Sequence, residues 1–309
     1  MIKKYKNKSL KILFLKLLAF FAVVFILDML IGNLLKKFYF KQEVGYDYLT
    51  TYSIEKTNAD ILFFGSSRSV NILNTDIFEK QLGLSCYNVG RYGEPVFYHY
   101  AILKSVLKRY TPKMILLSFD AGNFSKKQEA YDMLAVLLPY YNDHPEIRPM
   151  VELKGPYEKL KLLSRIYPYN SLLLPIITGN KDYSKKKYAN INGFMPLKRT
   201  FTGPLKTFDY TKEKELDSNK INIYKSFIRE CANANIPLYI VCPPYMINSV
   251  GTDASIIAAK KIAKDYHIDF LDYSRDSFYI DKPRLFADFR HLNENGVELF
   301  NKEIIEKIK

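Results

Sequence analysis

Ile61-Leu62-Phe63-Phe64-Gly65-Ser66-Ser67-Arg68 is a run of four apolar residues that ends in a glycine turn presenting two serine hydroxyls. An apolar run of that length, closed by a turn signal, reads as a strand buried on both faces. The sequence around it repeats the theme. Residues 76–82 have helical spacing, 85–89 read as a short second strand, 95–110 as a helix, and 114–119 as a third strand. A second series comes late in the chain. There 213–234 look helical, 237–241 form a buried strand closed by Pro243-Pro244, 253–266 a helix, 268–272 a fifth strand, and 294–308 the closing helix. Strands alternating with helices predict an α/β fold, a parallel sheet between two layers of helices. Ligands of such sheets sit at the carboxyl ends of the strands.

A second segment, far from the first, supplies the complementary chemistry. In Asp288-Phe289-Arg290-His291-Leu292-Asn293-Glu294-Asn295-Gly296 a carboxylate stands three residues before an imidazole, just ahead of the last helix. A hydroxyl to attack, a base to take its proton and an acid to orient the base are what nucleophilic acyl chemistry requires. Ser67 and Asn123 follow strand ends directly, whereas Asp288 and His291 lie in a loop beyond the last strand. His99, His144 and His267 have no carboxylate at the same spacing.

Residues 125–217 interrupt the alternation. They offer short helical pieces at 128–138 and 156–166, an aromatic, lysine-rich stretch at 180–210, and no strand pattern. So long a connection is usually a lid, a binding region or an insertion. Within it, Asn192-Gly193-Phe194-Met195-Pro196-Leu197 either contributes to a substrate wall or anchors the insertion to the core.

The amino-terminal region reads differently. Residues 10–35 are almost wholly apolar, broken by Lys11, Lys16, Asp28 and Asn33. A helix crossing the hydrocarbon needs about 20 apolar residues. Lys16 lies near one end, where its side chain can reach the interface, and Asp28 is expected at the opposite interface or against a partner helix. Five lysines precede Ile12, against Lys36, Lys37 and Lys41 afterwards, which favours a cytoplasmic amino terminus and an exported body. A cleaved signal peptide competes with an uncleaved anchor, but Asp28-Met29-Leu30-Ile31-Gly32-Asn33 is a poor cleavage site. The organisation expected is therefore a cytoplasmic tail (1–9), a transmembrane anchor (10–35), a stalk or first helix (36–58), and a domain from 59 to 309 carrying the insertion.

Composition narrows the functional classes. The net charge of +14 is concentrated in this tail and its flanks, where nine lysines face Asp28 alone up to Lys41. The rest is ordinary for a solvated surface, and no recognition motif supports a nucleic-acid binder. Cys86, Cys231 and Cys242 are too few and too scattered for a disulfide framework and read as small buried hydrophobes. No cysteine–histidine spacing suggests a zinc site, and no cofactor is expected.

On these residues the chain resembles the SGNH (GDSL-type) hydrolase superfamily, and more narrowly its membrane-anchored bacterial members of the alginate-acetylation and teichoic-acid D-alanylation type. The resemblance runs from about Asp60 to the end, outside the insertion, and implies a three-layer flavodoxin-like sheet. Gly65-Ser66-Ser67 matches the family's Gly-Asp-Ser block, which makes Ser67 the nucleophile. Ser66 replaces the aspartate and remains a rival, or a helix cap. Asn88-Val89-Gly90-Arg91-Tyr92-Gly93 corresponds to the second block, with Gly93 as the oxyanion-binding glycine. Asp120-Ala121-Gly122-Asn123-Phe124 departs from Gly-x-Asn-Asp, with the glycine displaced and the last aspartate missing. Asn123 is the oxyanion donor implied, unless Asp120 occupies that place. Asp288 and His291 preserve the Asp-x-x-His block.

The family then implies a membrane-tethered serine esterase or O-acyltransferase moving acyl groups, acetyl above all, on a cell-envelope polysaccharide. Its partners would be the glycan or acylated sugar, the inner membrane and a multi-spanning membrane acyltransferase, with no nucleic acid. The alternative is a catalytically inactive member of the fold that binds glycan or aids assembly.

Overall fold

A computed structural model describes residues 2–181, 192–211 and 215–309, with residues 2–9 described by their backbone alone. Part of the lysine-rich stretch (182–191) and the start expected for the 213–234 helix (213–214) lie outside the described residues.

Five strands form the central sheet: β1 (Ile61–Phe64), β2 (Cys86–Asn88), β3 (Met114–Ser118), β5 (Leu238–Cys242) and β7 (Asp269–Asp272). Their order is β2-β1-β3-β5-β7 and every neighbouring pair is parallel. This is a doubly wound α/β sheet of the flavodoxin-like order, whose direction of winding reverses between β1 and β3. The side-chain period of two divides β1 between two cores. Leu62 and Phe64 join α5 (Val96–Leu107), α6 (Ser218–Asn233) and α7 (Ala254–Asp265), while Ile61 and Phe63 join α3 (Ser67–Ile72), α4 (Thr75–Leu82) and α8 (Glu294–Ile308). All four are fully buried, each contributing at most roughly 1.5–3 kcal/mol from burial.

Helices start and stop where side chains satisfy their ends. Asp217 caps α6, Asp253 caps α7 and Asn293 caps α8, each accepting from backbone N–H groups of the first turn. The three cysteines are free and buried.

Two further strands were not expected from the sequence. β4 (Lys206–Asp209), inside the insertion, pairs in parallel with β6 (Ile247–Val250) to form a separate two-stranded sheet. β4 is largely exposed, so its residues show no apolar run or alternation. The other regular elements among its described residues are short helices, and its ends are pinched together by a bridge between Ser125 and Leu216.

Helix α1 (Ile2–Phe40) is long and apolar enough from Leu10 onward to cross a membrane. Its last turns pack on the domain. Tyr39 is buried, its hydroxyl 3.1 Å from that of Tyr140 in the insertion. Helix α2 (Tyr46–Glu55) follows within the 36–58 segment and packs on α5, with Ile54 fully buried. Asp28 accepts hydrogen bonds from Ser164, Arg165 and Ile166 of the insertion.

Candidate active site

The reversal between β1 and β3 places the loops that follow these strands side by side at the carboxyl edge of the sheet, with the β2 loop next to them. The turn after β1 carries Gly65 at φ +140, where an added Cβ would lie 2.7 Å from Ser118 Cβ. Glycine is therefore needed for the chain to turn so tightly against β3. Ser66 caps α3, its Oγ accepting from the Arg68 N–H at 3.5 Å. The same hydroxyl donates to Asp120 Oδ2. Ser66 is thus committed to a cap and a carboxylate. Ser67, the first residue of α3, is the serine that reaches the far segment.

Ser67 Oγ lies 2.9 Å from His291 Nε2, and His291 Nδ1 lies 2.9 Å and 3.1 Å from the two oxygens of Asp288. The loop that supplies both partners is over-determined. Phe286 and Leu292 bridge across it, Ala287 N–H donates to His291 O at 2.8 Å, and the N–H groups of Arg290 and His291 donate to Asp288 Oδ1 at 2.9 Å and 3.0 Å. Asn293 holds the loop's exit through Arg284 O at 2.7 Å while capping α8. Burial works against ionisation of Asp288. The His291 ring, the Arg290 N–H and the Arg199 guanidinium outweigh it and hold the carboxyl well below the usual range. A carboxylate that stays ionised fixes the imidazole with its proton on Nδ1 and leaves Nε2 free to accept from Ser67.

Arg199 was not singled out from the sequence. Its guanidinium donates to Asp288 Oδ2 at 2.8 Å and to Ala287 O at 3.1 Å. No spacing could reveal it, because the contact is made by the insertion folding back over the loop. Phe208 of β4 stacks on Phe289 there, with ring centroids 5.9 Å apart. The stretch from Asn192 to Leu197 takes the anchoring role of the two expected. Phe194 is buried in the core beneath α3, Asn192 O accepts from Asn88 N at 2.8 Å, and Met195 N donates to Val70 O at 2.9 Å.

The two oxyanion candidates flank the serine turn in the fold. Gly93 sits in the loop after β2 at φ +75, a conformation that favours glycine. Asn88 ties that loop to α3, its Oδ1 accepting from Ser69 Oγ at 3.1 Å and from Gly90 N–H at 3.0 Å. Asn123 lies in the turn after β3, its N–H on Asp120 O at 3.1 Å. Of the two residues considered after β3, Asp120 is the one bonded to the serine turn, through Ser66 rather than Ser67.

Beside Gly93, the buried Glu94 has a distinctive protonation. Burial pushes its carboxyl up to about 8, against the pull of Arg91, whose Nε is 3.6 Å away. An unfolded glutamate titrates near about 4.3. Between those values the unfolded chain has released a proton that the folded chain retains, so stability falls as pH rises and levels off above the upper value. Glu94→Gln, which mimics the protonated acid, should remove that loss. Urea midpoints of the wild type should decline from about pH 6 to about pH 8, and those of the variant should stay level across this interval.

Comparison with solved structures finds an acetyl xylan esterase, AlAXEase, at 14% identity and a TM-score of 0.41, covering 81% of this chain and 99% of that chain. A likeness that distant supports no statement about activity. No family model matches the sequence, and no curated protein matches it.

Proposed function

We propose that this chain is a membrane-anchored serine esterase or O-acyltransferase that acts on acyl groups, acetyl above all, of a cell-envelope polysaccharide. The observation that carries the reading is the relay from Ser67 Oγ through His291 to Asp288, at 2.9 Å per step. Two groups more than 200 residues apart in sequence meet at hydrogen-bond distance, backed by an acid held ionised.

In this reading Ser67 Oγ attacks the acyl carbonyl carbon while His291 Nε2 takes its proton. The tetrahedral oxyanion is received by the Ser67 and Gly93 N–H groups and the Asn123 amide. Collapse breaks the bond to the departing sugar oxygen, which takes the proton back from His291, and leaves the acyl group on Ser67. Water then releases a free acid, or a second sugar hydroxyl accepts the acyl group, with His291 again as base. Helix α1 spans the membrane with its amino-terminal lysines in the cytoplasm, so the domain faces the envelope, beside a multi-spanning membrane acyltransferase.

A fluorophosphonate probe tests this directly. The full chain in detergent should label, and Ser67→Ala and His291→Ala should each abolish labelling. A folded wild type that fails to react would favour a glycan-binding protein that has kept the fold without the chemistry.

A further inference from the structure

The four most exposed large apolar side chains outside α1, among the described residues, are Leu163, Leu174, Tyr157 and Leu160. With Leu173 and Ile177, they all fall within a short stretch of the insertion. Leu163 and Leu174 are 73% and 70% exposed, more than any large apolar residue described in α1 itself. Single exposed leucines need no explanation, but a cluster does.

This cluster surrounds a contact with α1. Between Leu163 and Leu173 the chain wraps Asp28, with Ser164 Oγ donating at 2.6 Å, Arg165 N–H at 2.7 Å and Ile166 N–H at 3.3 Å. One turn further along α1, Gly32 is buried against the Arg165 backbone with no room for a side chain. The helix Leu173–Gly179 then packs along α1, and Asn180 Nδ2 donates to Phe38 O at 2.9 Å.

The level of this contact decides its meaning. The apolar run of α1 continues past Asp28 to Leu34-Leu35 before Lys36-Lys37. At about 1.5 Å per residue, Asp28 lies about 10 Å short of Leu35 along the helix. About 20 residues are needed to cross the hydrocarbon, and counted from Lys16 they end near Lys36. Whatever grips Asp28 and Gly32 therefore sits about 5–10 Å inside the boundary between headgroups and acyl chains, the depth of interfacial segments. A carboxylate at that depth needs protein donors, and the insertion supplies three.

We infer that residues 157–177 form a second membrane contact, an apolar wedge embedded in the lipid boundary beside α1. The inference rests on α1 spanning the bilayer. The occupant of this face is lipid, because the face is continuous with the apolar surface of α1. Its rim also fits anionic headgroups, with Lys154, Lys159, Lys161 and Arg165 against Glu152 and Glu158. A domain held by both contacts keeps one pose over the membrane instead of swinging on a tether.

Environment-sensitive fluorophores on single cysteines test this in the full chain, reconstituted in phosphatidylcholine–phosphatidylglycerol vesicles. The three native cysteines are buried, which leaves the introduced thiol as the reactive one. Labels at Leu163→Cys and Leu174→Cys should show blue-shifted emission and lose most of it to lipids brominated near the headgroup, with little quenching by iodide. A label at Leu299→Cys, also exposed, should respond to iodide alone. A label at Phe21→Cys, central in α1, should be quenched by deeply brominated lipid. Iodide quenching at 163 and 174, with lipid quenching at 21, overturns the wedge and keeps the anchor. Shielding of 163 and 174 from both quenchers overturns it in favour of cover by a second copy of the chain. Loss of lipid quenching at 21 removes the anchor and the wedge together.

Discussion

Ser67→Ala and His291→Ala should each slow turnover of a small activated acyl ester by on the order of 10⁴-fold, and the double variant should be no slower than the worse single. The proposed mechanism accounts for both the size and the lack of additivity. Without Ser67 there is no atom to carry the acyl group, and His291 has nothing to deprotonate. Without His291, Ser67 keeps its proton and is a weak nucleophile at neutral pH. Either loss disables the same step, so the second removes nothing further. Ser66→Ala is the internal contrast. It deletes a helix cap, worth about 1 kcal/mol, and a bond to Asp120, and should leave the probe reaction at Ser67 in place. Steady-state kinetics with a nitrophenyl acyl ester give the comparison. If Ser66→Ala proved the inactive variant and Ser67→Ala the active one, the nucleophile would be misassigned. If the two single losses multiplied, Ser67 and His291 would not be acting as one unit.

Most of this arrangement was legible in the sequence, for physical reasons. Strands buried on both faces must be apolar at every position, so β1 and β3 stand out as runs. Asp288 and His291 are legible because a three-residue spacing lets one tight loop satisfy both, and α8 needs the Asn293 cap directly after them. What the sequence hid is made by contacts between distant exposed segments. β4 is largely exposed and β6 half-exposed, and each is defined only by pairing with the other. Arg199 matters only because the insertion returns over the Asp288 loop. Asp28 looked like an interfacial residue or one facing another helix, and its partner is a loop some 136 residues away. The role of Arg68 was equally invisible, although it directly follows the serines.

Arg68→Met should lower the unfolding free energy of the full chain by about 3–5 kcal/mol, an unusually large effect for one side chain. Arg68 is 2% exposed, and its guanidinium lies beneath the serine turn. Nη2 donates to Pro244 O at 2.8 Å and to Pro243 O, Nη1 is 3.5 Å from Asp120 Oδ1, and the plane lies 3.5 Å over the Tyr245 ring. One planar cation thus closes the end of β5 and offsets the carboxylate that holds Ser66. Methionine fills much of the volume but leaves two carbonyls and Asp120 without their cation, and uncompensated buried charge is the costly part. Lysine would not restore the site, since a point charge cannot fork between two carbonyls and stack on a ring. Pairing Arg68→Met with Asp120→Asn should recover part of the loss by removing the stranded carboxylate, a coupling that packing alone would not produce. Urea unfolding in detergent micelles reads both quantities. A single-variant loss below about 1 kcal/mol, or strict additivity in the pair, would mean that the ion pair under the turn contributes no more than a surface contact.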